Sequence, residues 1–169
     1  ERQTGSGLAG GNELTLAILV GTRPEIIKMA PIIHECLERE LPFTLIHSNQ
    51  HYSKDLDRAF FEEFSIPEPH HHLGVGSGSH AYQTAAIIQR LEPILQAAQP
   101  DALLVHGDTN TTLAGGLAAA KLPIKLVHVE AGLRSHDRSM PEEVNRIVVD
   151  HLSDVLFAVT DVQAGNLER

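Results

Sequence analysis

A chain of 169 residues, 42% apolar and 21% charged with no tryptophan, can bury the core of one domain but is short for two. Its formal charge of −9 argues against nucleic acid or an anionic membrane surface as the main partner, because both select an excess of Lys and Arg. No apolar run approaches the ~18–20 residues of a membrane span, no signal-peptide pattern is present, and Cys36, the single cysteine, can form no internal disulfide; a cytoplasmic setting is expected, with Cys36 a buried thiol on a helix face.

Residues 1–13, Gly-rich and polar, read as a flexible leader or cloning remnant, and 14–169 as one domain. The β-branched run 14–20 predicts a first strand. A helix is predicted over 24–39 with Ile26, Ala30, Ile33 and Leu37 on one face and a kink or restart at Pro31. A strand over 43–48, a helix over 54–64 and a short strand within 70–73 follow. "GVGSG" (74–78) does not fit a dinucleotide fingerprint and reads as a loop before a helix over 80–98. The remaining predictions are strands at 102–106, 125–129 and 155–159 and helices at 110–121 and 140–152. Strands alternating with helices imply right-handed crossovers and a parallel, Rossmann-like doubly wound α/β sheet. Ligands of such sheets bind beyond the carboxyl ends of the strands, which points to residues 21–25, 49–53, 107–112 and 130–138.

Those segments hold the chemistry-bearing residues. "TRPE" (22–25) is a capping box, and Arg23 and Lys28 beside that helix start could receive an anion or simply be solvated. His106 and Asp108, like His128 and Glu130, are two residues apart, so neighbouring strands would bring both acids to one crevice. Paired carboxylates in unlike environments suit proton transfer. Bland readings compete: Asp108 fits the N-cap of the helix near Asn110, and Glu130 a solvated loop acid. Glu142 fits a capping box with Ser139 and an i+4 pair with Arg146. The set His106, Asp108, His128 and Glu130 could alternatively bind zinc or iron. No P-loop motif is present.

Taken together, "GTRPEIIKMAP" (21–31), "QH" (50–51), "HGDTNTTLA" (106–114), "HVEAGLRS" (128–135) and "PEEVNR" (141–146) resemble, in order, the amino-terminal domain of the non-hydrolysing UDP-N-acetylglucosamine 2-epimerases. The resemblance implies one half of a GT-B-like two-domain enzyme that interconverts UDP-N-acetylglucosamine and UDP-N-acetylmannosamine by elimination and re-addition of UDP, with no metal and no nicotinamide cofactor. It implies a UDP-sugar ligand, a homodimeric parent, and a second domain supplying the uridine pocket, so that this part alone is expected to be inactive. By matching position, Asp108, Glu130 and Glu142 become the catalytic candidates, Arg23, Lys28 and His51 substrate contacts, and Arg146 the residue that orients Glu142. Family members activated by their own substrate read Gln-His-Arg-Gln where this chain reads Gln50-His51-Tyr52-Ser53, which replaces the last two polar contacts. The other readings are half of a GT-B glycosyltransferase and a non-catalytic nucleotide-binding module.

Overall fold

The computed structural model describes residues 14–49 and 60–168. In chain order these form β1 (Leu16–Val20), α1 (Arg23–Glu38), β2 (Phe43–His47), β3 (His71–His72), α2 (His80–Ala98), β4 (Ala102–His106), α3 (Asn110–Ala119), β5 (Lys125–Val129), α4 (Pro141–Leu152), β6 (Val155–Phe157) and α5 (Asp161–Leu167). The strands pair in parallel in the order β3-β2-β1-β4-β5-β6, so the direction of progression reverses between β1 and β4. This is the doubly wound α/β arrangement expected from the alternation of elements.

Pleating sends successive strand side chains into two separate cores. On one face Leu19, Ile46, Leu103 and Val105 pack with Ile87, Leu91 and Leu95 of α2 and with Ala114 and Ala118 of α3. On the other, Ile18, Val20, Leu45 and Leu104 pack with Ile26, Met29, Ile33 and Cys36 of α1 and with Phe61. Each large side chain so buried contributes about 1.5–3 kcal/mol. With both faces covered, β4 is buried at every position, which is why its sequence reads as an unbroken apolar run rather than an alternating one. No helix among the described residues is long and apolar enough to cross a membrane.

Several expectations need correction. The helix α1 runs through Pro31 without a restart, because Ile27 and Pro31 lie on its exposed side, where water can satisfy the carbonyl that Pro31 leaves unpaired. Leu37, placed on the apolar face by spacing, is 45% exposed, and Cys36 takes the buried position as a buried thiol. α5 was not anticipated, although "TDVQ" carries its signal: the Thr160 hydroxyl and the Gln163 side chain form a capping box. Residues 60–63 are helical, within the helix expected over 54–64. Residues 1–13, the first part of that helix and His51 lie outside the described residues.

Candidate active site at the carboxyl ends of the strands

The turn leaving β1 passes so close to its neighbours that only glycine fits. A Cβ on Gly21 would lie 2.1 Å from the Thr111 hydroxyl and 2.5 Å from that of Ser48, which are themselves hydrogen-bonded at 2.8 Å. Glu25, 2% exposed, accepts hydrogen bonds from the Gly21 and Thr22 amides, both at 2.7 Å. Its other oxygen accepts from the Thr109 hydroxyl at 2.7 Å, so this residue also ties the β1 turn to the β4 turn across the switch point. Burial pushes the Glu25 carboxyl up, against the pull of those hydrogen bonds. On the same helix the Arg23 guanidinium stands 5.3 Å from the centroid of the Phe60 ring, and the Lys28 side chain is 50% exposed.

At the end of β4, Gly107 takes a left-handed conformation (φ 71°) and turns the chain. The N-cap of α3 is Thr109, whose hydroxyl accepts from the Thr112 amide at 3.2 Å, and not Asp108. Released from capping, Asp108 accepts from Arg146 through Nε at 2.9 Å and Nη2 at 2.7 Å. The expected capping box between Ser139 and Glu142 does not form: Met140 is the N-cap of α4, and the Ser139 hydroxyl donates to Asp137. Arg146 pairs with Glu143, three residues before it, and does not orient Glu142. Burial selects between the two acids. Glu143 is 1% exposed and accepts from the Ser135 and His136 amides and from Arg146 Nη1, while Glu142 is half-buried with no hydrogen bond or ion pair among the described residues. Burial alone would raise the Glu143 carboxyl, but those three donors hold it down at about 2.

β5 ends in register with β4, Val129 opposite His106. Glu130 follows in the left-handed region (φ 68°), a conformation that costs a non-glycine residue about 1–2 kcal/mol. Its carboxylate accepts from Lys28 Nζ at 2.6 Å and lies 2.9 Å from His106 Nε2. Burial would raise the Glu130 carboxyl, but Lys28 and His106 outweigh it and hold the group below its ordinary range. Burial pushes His106 down despite the facing carboxylate, and His106 Nδ1 has no hydrogen-bond partner among the described residues. The fitting tautomer is therefore neutral, with its hydrogen on Nε2.

The four-residue metal set does not assemble. His128 is fully buried with Nδ1 2.7 Å from Asp150 and Nε2 2.7 Å from the Gly107 carbonyl, so neither nitrogen is available as a ligand. Asp108 and Glu130 thus stand at adjacent strand ends, each held by a cation, with Lys28 and Arg146 lining the same end of the sheet. Such an arrangement can move protons beside a departing anion. Sequence reasoning passed over Glu143 and Asp150; their spacing to Arg146 on one helix face was the available signal.

The chain matches the family model described as UDP-N-acetylglucosamine 2-epimerase over residues 34–169. It is 50% identical over 156 residues to the UDP-N-acetylglucosamine 2-epimerase of Methanocaldococcus jannaschii, covering 92% of this chain and 43% of that protein. The crystal structure of that enzyme in complex with UDP-GlcNAc and UDP superposes with a TM-score of 0.89, covering 92% of this chain and 43% of that one. The Pseudomonas aeruginosa UDP-2,3-diacetamido-2,3-dideoxy-D-glucuronate 2-epimerase is 38% identical, covering 92% and 44%. MurG of Acinetobacter baumannii, 11% identical with a TM-score of 0.57 over 85% of this chain and 40% of that one, shares the fold alone, consistent with one half of a GT-B-like two-domain fold. The chain spans less than half the length of the curated relatives it matches, on their amino-terminal side.

Proposed function

The chain belongs to the UDP-N-acetylglucosamine 2-epimerase family, and on that basis we propose that it is the amino-terminal part of an enzyme interconverting UDP-N-acetylglucosamine and UDP-N-acetylmannosamine. The hydrogen on C2 of the sugar has no adjacent carbonyl to acidify it, so simple removal and return would be slow. Elimination avoids this: the C1–O bond to UDP breaks, the C2 proton goes to a base, and a C1=C2 double bond forms. Re-addition of UDP with a proton on the opposite face of C2 completes the inversion.

One observation carries the reading: Glu130, ionised between Lys28 and His106, stands at the strand end next to the one that bears Asp108 with its Arg146 partner. Asp108, Glu130 and Glu142 are the acid/base and cation-stabilising groups, Arg23, Lys28 and His51 contact the substrate, and Arg146 orients Asp108. No metal or nicotinamide takes part, a second domain provides the uridine pocket, and the parent is a homodimer.

A two-domain parent given UDP-N-acetylglucosamine in deuterium oxide should place deuterium at C2 of its product; a product without it would rule out the mechanism. Asp108→Asn and Glu130→Gln should each lower turnover by roughly 10²–10⁴-fold. Near-normal rates in both would remove these acids from the reaction. The 38% identical relative supplies the competing substrate, a UDP-diacetamido-glucuronate, and a preference for it would redirect the assignment.

A further inference from the structure

Asp150 lies beneath the site and takes no part in the chemistry proposed above. It continues the buried polar stripe of α4 after Glu143 and Arg146, and is 6% exposed. Its carboxylate gathers three donors: His128 Nδ1 at 2.7 Å, Arg134 Nη1 at 2.6 Å and the Gly132 amide at 3.2 Å. The far nitrogen of His128 reaches the Gly107 carbonyl at 2.7 Å. A carbonyl can only accept, and a carboxylate already receiving an amide and a guanidinium is an acceptor as well, so each ring nitrogen of His128 faces an acceptor, one on each turn. The pair therefore bridges two turns. Gly107 immediately precedes Asp108, and Gly132 follows Glu130 by two residues. Between them Glu130 holds left-handed backbone (φ 68°), which costs a non-glycine residue and needs support from outside its turn, whereas Gly107 and Gly132 (φ 71° and 78°) adopt it freely.

We propose that Asp150, through His128 and the Gly132 amide, is the positioning residue that sets the Asp108 turn and the Glu130 turn against each other for catalysis. The proposal rests on the epimerase reading but can fail separately from it. Arg23 and Lys28, the nucleotide contacts, sit on α1, so displaced acids should slow the chemical step more than they weaken binding.

In the two-domain parent, Asp150→Asn should lower kcat for epimerisation, and the rate of deuterium uptake at C2, by about 10–100-fold while KM changes by less than about 2-fold. Val149→Ala, a cavity in the core behind the same helix, controls for lost stability: it should lower Tm and keep kcat. A wild-type kcat in Asp150→Asn, or kcat losses in both variants that simply follow Tm, would overturn the proposal. A wild-type parent that does not epimerise would sink the functional reading instead. The positioning claim is then decided on the 169-residue chain by NMR, where Asp150→Asn should shift the amides of Asp108 and Gly132 together. A change confined to residues 130–134 would refute the bridge.

Discussion

Replacing Glu143 by Gln keeps the shape of a buried, hydrogen-bonded acid of the site and removes its charge. Three donors converge on it, the Ser135 and His136 amides at 2.9 and 3.1 Å and Arg146 Nη1 at 2.7 Å. Its folded pKa of about 2 lies below its ordinary 4.5. By linkage that difference corresponds to about 3 kcal/mol, which screening through the largely exposed segment 135–140 trims to about 2 kcal/mol. For a domain of this size the loss should lower Tm at pH 7 by roughly 4–8 °C. The sign is set by a folded value below the unfolded one: the contribution is complete above pH 4.5 and disappears as pH falls toward 2. Thermal melts of wild type and Glu143→Gln, followed by circular dichroism from pH 7 to pH 2.5, should therefore converge at the acid end. A Tm gap independent of pH, or none at pH 7, would refute the assignment of Glu143 as an ionised brace.

Lys28→Met removes the cation 2.6 Å from Glu130, so the Glu130 carboxyl should rise and the acid limb of the parent enzyme's pH–rate profile move to higher pH; an unmoved limb would separate Glu130 from that limb. Gly21→Ala places a Cβ against Thr111 and Ser48 and should cost about 1–3 kcal/mol, read as a lowered Tm, with an unchanged Tm as the refuting result. The 169-residue chain by itself should fold, bind UDP no more tightly than about millimolar and produce no UDP-N-acetylmannosamine, because one wall of a cleft positions C1 and C2 poorly. Micromolar binding by calorimetry, or turnover in a coupled assay, would show that this wall suffices.

Local signals made most of the fold legible. β4, β5 and α2 fall where apolar runs and helical periodicity put them, and the Glu25 capping box is written in four consecutive residues. That the acids lie just beyond strand ends also followed from order alone, while the pairing of β4 with β5 that makes those ends adjacent came from the tertiary structure. Partner choice did not follow. Asp108 and Thr109 are neighbours with equally good capping chemistry, as are Glu142 and Glu143 as partners for Arg146, and these alternatives differ by only about 1 kcal/mol in isolation. Docking α4 against β5 and α3 decided between them by burying Glu143, Arg146 and Asp150 and leaving Glu142 at the rim. A buried charge without a partner costs several kcal/mol, so the packed helix commits each side chain to the donor or acceptor in reach. For the same reason His106 faces Glu130 and His128 faces Asp150, although both histidines stand before the same kind of turn and the sequence treats them alike.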